Sequence, residues 1–205
     1  KFFNSVALRG NIKNLNNNDI SLYLGPNFHF VIYPVNQNKE FNFISIIRKK
    51  LSKNEISNKN LFESSDFLKS LCNEVYQKTA INLNDKLENI KSFPIYVSEK
   101  FEDFNYKNIY FVGDALFTFP PSFAQGASQS IEAAKEAFEE INNNSNSYYE
   151  KRGLKIKEVN WRSKLNHFAF HLSNPIIVLF RNLILKILVN NKNFLNNYLG
   201  RIYKD

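Results

Sequence analysis

The pattern of apolar and polar positions divides the chain into a strand-rich first quarter, a mixed middle and a helical last third. Lys1-Phe2-Phe3-Asn4-Ser5-Val6 opens like a strand. Asn16-Asn17-Asn18 with Asp19 marks a turn. Leu22-Tyr23-Leu24 runs into Gly25-Pro26-Asn27, a strong turn signal. Phe28-His29-Phe30-Val31-Ile32-Tyr33 is aromatic and β-branched, and Pro34 closes it. Asn36-Gln37-Asn38-Lys39 predicts a second turn, and Phe41 to Ile47 the partner strand. Strands joined by turns this short are expected to pair antiparallel.

Residues 52–60 are polar and read as loop. Ser64-Ser65-Asp66 predicts a helix start, because a serine hydroxyl can accept a bond from a free first-turn N–H. Leu68 and Leu71 have helical spacing, and a further helix is predicted from Asn73 to Thr79. Phe93 to Val97 returns to strand. Ile109-Tyr110-Phe111-Val112 is short and wholly apolar, the pattern of a strand buried on both faces in a parallel sheet. Ser128 to Ile141 predicts a helix with Ile131, Ala134, Phe138 and Ile141 on its inner face. Ser145 to about Ser173 reads as a long basic helix, and Pro175 suits the first turn of another.

Composition adds a core and an asymmetry. Of 205 residues 43% are hydrophobic and 15% aromatic, enough for one or more packed domains and too apolar for a disordered chain. The 32 Asn and 21 Lys point to an AT-rich genome, so surface Asn is not read as a binding code. The net charge is +8, but residues 151–205 carry 11 Lys/Arg against 2 Asp/Glu, so the whole excess lies in that tail. A basic tail invites an anionic surface as partner. Cys72 is the one cysteine, which suits a reducing compartment, and the cytoplasm is the expected location.

The stretch 109–134 carries the candidate chemistry. An apolar run delivers Asp114 to its end, where ligands bind in open α/β sheets. Gly113 permits a close backbone approach, and the Asp114 carboxylate can accept bonds from sugar-type hydroxyls. Pro120 and Pro121 stiffen the loop. Gln125-Gly126-Ala127-Ser128 then starts a helix whose free N–H groups favour negative charge. A diol acceptor beside such a helix end is what a flavin cofactor needs.

The full spacing resembles the second FAD-binding signature of the aromatic-ring hydroxylases, the flavin monooxygenases of the para-hydroxybenzoate or salicylate hydroxylase type. Gly113-Asp114-Ala115, Pro121, Ala124-Gln125-Gly126-Ala127 and Glu132 match that signature, while Phe117 stands at its His position and Ser128 at its Asn position. The sheet segments around Ala7-Leu8-Arg9-Gly10, Leu24 to Val35 and Phe41 to Ile44 resemble the substrate domain of these enzymes. Tyr149-Glu150-Lys151-Arg152 through Arg162-Ser163 resembles their Arg-rich helix.

The resemblance implies a fold of mixed class, α+β with an α/β portion. Residues 1–107 would form the substrate-domain sheet and its helices, 108–145 the returning strand–loop–helix of the FAD-binding domain, and 146–205 a basic helical region. It implies FAD as cofactor, NADH or NADPH as reductant, and dioxygen with a small aromatic molecule as substrates. Cofactor contacts would come from Gly113, Asp114, Pro121, Gln125, Gly126, Ala127 and Ser128. His29, Tyr33 and Phe43 would lie on the substrate sheet. No Gly-x-Gly-x-x-Gly, the first FAD motif of these enzymes, occurs in the chain. With no Met and a strand-like opening, the chain is expected to be part of a longer protein whose missing N-terminal half carries that motif.

Two other patterns are weaker. His167 and His171 have the i,i+4 spacing of a metal pair, but no Glu or third ligand accompanies them, so no metal site is expected. The run from Ile176 to Val189 is too short and charged to span a bilayer, which needs about 20 apolar residues. It reads first as a helix packed on the body of the protein, since apolar stripes usually face a core. The rival reading is peripheral contact with the inner membrane face. Nucleic acid is not expected, because the tail has no reader motif and its aromatics do not interleave with its charges.

Overall fold

The computed structural model describes residues 1–13, 19–36, 39–83, 89–102, 109–143 and 146–198. The predicted turns at 16–18 and 37–38, and residues 144 and 145, lie outside the described residues. The chain forms two compact units, Phe2–Tyr96 and Val97–Asp205 together with Lys1.

The first unit is an antiparallel sheet covered on one face by helices. Its strands are β1 (Phe2–Lys13), β2 (Ser21–Gly25), β3 (Phe28–Pro34), β4 (Glu40–Arg48) and β5 (Ile90–Tyr96), in the order β2-β3-β4-β1-β5. The short turns predicted this pairing: Tyr23 opposes Phe30, and Val31 opposes Ile44. Period-two alternation sends Leu8, Phe30, Ile32, Phe43 and Ile47 to one face, where they form the core with Phe62, Leu68, Leu71 and Val75. The Phe30 and Phe43 rings stack with centroids 5.6 Å apart.

The helices that close that face supply Phe62, Leu68, Leu71 and Val75. Residues 52–60 are not loop: α1 (Lys53–Ser57) and α2 (Lys59–Glu63) occupy them. Their stretch is polar because both are short surface turns held by caps. Ser52 and Glu55 form a reciprocal capping box, and the Asn58 side chain accepts from Asn60 N. The two segments predicted over 64–79 are one helix, α3 (Ser65–Thr79), capped by the Ser64 hydroxyl. Cys72 on α3 is fully buried, and burial pushes its thiol up to about 11.

The second unit is helical. Its elements are α4 (Gly126–Asn143), α5 (Tyr148–Phe170), α6 (Pro175–Val189) and α7 (Lys192–Tyr198). Pro175 takes the first turn of α6, as predicted, and Asn174 caps it. Ile109–Val112 is not a strand: among the described residues it has no ladder partner. Tyrosine hydroxyls from α5 satisfy its backbone instead. Tyr148 donates to the Phe111 carbonyl at 2.7 Å, Tyr149 donates to the Ile109 carbonyl at 2.8 Å, and Phe111 N–H donates to the Tyr149 hydroxyl at 3.1 Å. Burial pushes the Tyr148 phenol up to about 12, so the donor stays protonated.

The predicted inner face of α4 is also reversed. Ile131, Phe138 and Ile141 are 74%, 64% and 55% exposed, whereas Gln129, Ala133, Ala137 and Glu140 are buried. The cause is Arg152 of α5, which is 1% exposed and must be neutralised. Its guanidinium donates to Glu136 Oε1 at 3.0 Å and Gln129 Oε1 at 2.6 Å, and lies 3.5 Å from Glu132. The polar face of α4 therefore turns toward α5. Nor does α6 pack fully on the body: none of its residues is buried.

Candidate functional site

The turn after Val112 is a 3-10 turn, Gly113–Ala115. Gly113 has φ +59°, and a Cβ there would sit 2.7 Å from Ser130 Oγ in the first turns of α4. Both facts require glycine, and the contact presses the turn against α4. Asp114 follows in an exposed position. Its backbone carbonyl accepts the Thr118 hydroxyl at 3.2 Å, while its carboxylate makes no bond to a described residue.

The second half of the site is the start of α4. A 3-10 turn at Pro121–Phe123 ends at Ala124, whose φ of +53° is left-handed. Gln125 is buried, and its carbonyl accepts the Gln129 N–H at 2.9 Å, the first bond of the helix. The N–H groups of Gly126, Ala127 and Ser128 thus have no partner within the helix. Gly126 and Ala127 are exposed, and nothing lies within 4 Å of where a Gly126 Cβ would be. An exposed carboxylate and an open helix start are therefore joined through the Gly113–Ser130 contact.

Pro121 is half-buried beside this helix start. Behind it, Ser122 Oγ lies 3.0 Å from His167 Nδ1, both side chains being buried. His167 and His171 lie with ring centroids 4.1 Å apart and their planes tilted by 56°. His167 is therefore engaged with the Pro121 turn. Phe117, at the position where the resembling signature has His, is 3% exposed and packs on Phe119.

The sheet candidates separate. His29 and Tyr33 point to one face of β3, with His29 buried and Tyr33 half-buried. Phe43 opposes Ile32 and is fully buried in the core on the other face. Tyr148 and Tyr149 hold Ile109 and Phe111, and Arg152 holds α4, against α5; the sequence marked Tyr149 and Arg152 only as part of a stretch resembling an Arg-rich helix, without these partners. The available signal was a paired tyrosine followed by a lone arginine on a helix facing glutamates.

No protein-family model and no curated protein matches this sequence. Solved structures do match. A variant of Klebsiella pneumoniae HpxO complexed with FAD superposes with a TM-score of 0.76 at 13% identity, over 99% of this chain and 55% of that one. HpxO complexed with FAD and uric acid gives 0.70 at 13% identity, over 89% and 49%. A salicylate hydroxylase substrate complex gives 0.61 at 16% identity, over 98% and 56%. The chain has the fold of these FAD-dependent monooxygenases, an antiparallel five-stranded sheet with helices, and spans about half their length.

Proposed function

We propose that this chain supplies one part of an FAD-dependent monooxygenase that hydroxylates a small aromatic or quinone-like molecule with NADH or NADPH and dioxygen. The observation that carries this reading is the Asp114 carboxylate, free of protein partners among the described residues, on a glycine turn wedged against the open start of α4. Such a pair offers an acceptor for polyol hydroxyls and donors for a developing negative charge.

The residues present fit FAD. Asp114 would accept ribityl hydroxyls, with Gly113 setting its position. The N–H groups of Gly126, Ala127 and Ser128 would face the flavin edge that becomes anionic on reduction. Gln125 holds the first helical turn, and Pro121 would border the ring. The cofactor, when bound, supplies the redox chemistry. The chain's own work is to bind it, orient it and exclude water. His29 and Tyr33 would contact substrate, while Phe43 supports their sheet from the core side.

The test is FAD titration of the full-length protein, followed by thermal midpoint and flavin absorbance, then NADH and NADPH oxidation and oxygen uptake with a phenolic compound. A saturable FAD shift and substrate-stimulated oxygen uptake are expected. A protein that stays colourless and shows no shift removes the proposal; flavin binding without oxygen uptake would leave a dehydrogenase instead.

A further inference from the structure

Two helices expose apolar stripes, and their electrostatic surroundings differ. The α4 stripe carries both signs: Lys135 pairs with Glu139 beside it, while Glu132 and Glu136 turn to Arg152 and Lys155. The α6 stripe lies in the described stretch 159–198, which holds five Lys/Arg and no Asp or Glu; of these, Arg162 is paired with Glu158. A basic neighbourhood is drawn to anionic lipid.

α6 is apolar on two sides. Val178, Arg181, Leu185 and Leu188 are half-buried at 3,4,3 spacing, one inner seam. Arg181 anchors this seam by donating to the Ala169 carbonyl of α5 at 3.1 Å. Ile176, Phe180, Leu183 and Ile187, spaced 4,3,4, form the opposite seam and are 67%, 60%, 51% and 68% exposed. Lys186 is exposed at the edge of that stripe. A contiguous exposed apolar stripe marks an interaction surface. At 15 residues, α6 is about 22 Å long, short of the roughly 30 Å hydrocarbon core of a bilayer. No helix among the described residues is long and apolar enough to cross a membrane.

We propose that α6 is an interfacial helix that lies flat on an anionic bilayer, with Ile176, Phe180, Leu183 and Ile187 inserted among the acyl chains and Lys186 at the headgroups. The inner seam keeps the helix on the protein while the outer seam enters the lipid. Apolar insertion and charge attraction act together, so both are needed for stable binding. This surface is independent of the flavin reading.

The test is co-sedimentation of the full-length protein, with FAD added, on phosphatidylcholine vesicles with and without phosphatidylglycerol. Binding to the anionic vesicles, weakened by salt and by omission of phosphatidylglycerol, is expected. Phe180→Asp with Leu183→Asp should abolish it, and Lys186→Glu should weaken it on the order of tenfold. Ile20→Asp, at an exposed position on the other unit, should change nothing. Thermal midpoints should be unaltered, because the substituted side chains touch lipid and not protein. Absence of binding to anionic vesicles overturns the proposal. So does a midpoint that falls with Phe180→Asp and Leu183→Asp, which would show that the protein itself covers the stripe. Loss of a dimer in light scattering with the same variants would show that a second copy covers it, and also overturns the proposal.

Discussion

Ser122 Oγ and His167 Nδ1 lie 3.0 Å apart in a buried pair that fastens the Pro121 turn to α5. Either group can donate, according to the imidazole tautomer. His167→Phe keeps the bulk and leaves the Ser122 hydroxyl buried without its partner. The expected cost is about 1–3 kcal/mol of stability. FAD affinity should fall as well, because the turn that precedes Gly126 loses its tether. Ser122→Ala in the same background should recover part of the stability, since both polar groups are then gone. Thermal unfolding and FAD titration of the parent and both variants measure this.

Asp114 and Gly126 should separate binding from folding. Asp114→Ala removes an exposed carboxylate with no bond to a described residue, so the thermal midpoint should hold. FAD affinity should drop roughly 10- to 100-fold, the value of a lost charge-assisted hydrogen bond. Gly126→Ala places a methyl group where the structure has open space. It should leave stability unchanged or raise it by up to about 1 kcal/mol, while FAD binding weakens. A matched fall in stability and affinity would mean that both residues serve the fold alone.

Much of the first unit was legible in the sequence because its signals are local. Gly25-Pro26 fixes a turn, alternation fixes a face, and Ser64 caps α3. The glycine turn and the start of α4 were legible because glycine, aspartate and a small-residue helix start each have a short-range reason to be there. The face of α4 was not. Its apolar stripe has clear helical spacing, yet the buried side is chosen by Arg152, 16 residues from Glu136 and 23 from Gln129. The same holds for Ile109–Val112, whose backbone partners are hydroxyls 37 to 40 residues away. Among the sheet candidates, only the pairing of Ile32 with Phe43 reveals that Phe43 and Tyr33 face opposite ways.

Gly113 joins two constraints that a pair of variants can divide. Gly113→Ala forces an alanine to φ +59° and drives its Cβ to 2.7 Å from Ser130 Oγ. Left-handed backbone alone costs about 1–2 kcal/mol, and the clash adds to it. Ser130→Ala removes the offending oxygen but leaves a Cβ 3.3 Å away. The double variant should therefore be more stable than Gly113→Ala alone, yet less stable than the parent. Non-additivity of this sign, measured by denaturant unfolding, reports the contact. Strict additivity would assign the whole effect to the backbone.

Glu136 should give the protein a pH dependence opposite to that of an ordinary paired carboxylate. Burial is the largest influence on it and raises its pKa above 4.5, while the Arg152 guanidinium at 3.0 Å pulls it back. A raised carboxyl binds its proton more tightly in the folded state than in the unfolded one. Between the two pKa values the folded protein holds more protons, so stability falls as pH rises through that window. The contribution is complete below 4.5 and lost above the folded value. Glu136→Gln keeps an acceptor for Arg152 and removes the titration. Its stability should lack this fall across the mildly acidic range, with the difference from the parent read from urea unfolding at successive pH values. Arg152→Met acts in the other direction, leaving Glu136 half-buried beside Glu132 without its ion-pair partner, with Lys155 at 3.1 Å from Glu132 as the cation that remains. It should cost about 3–5 kcal/mol, and the loss should be largest near neutral pH and smallest in acid. Curves that stay parallel for parent and both variants would mean that Glu136 does not titrate in this range.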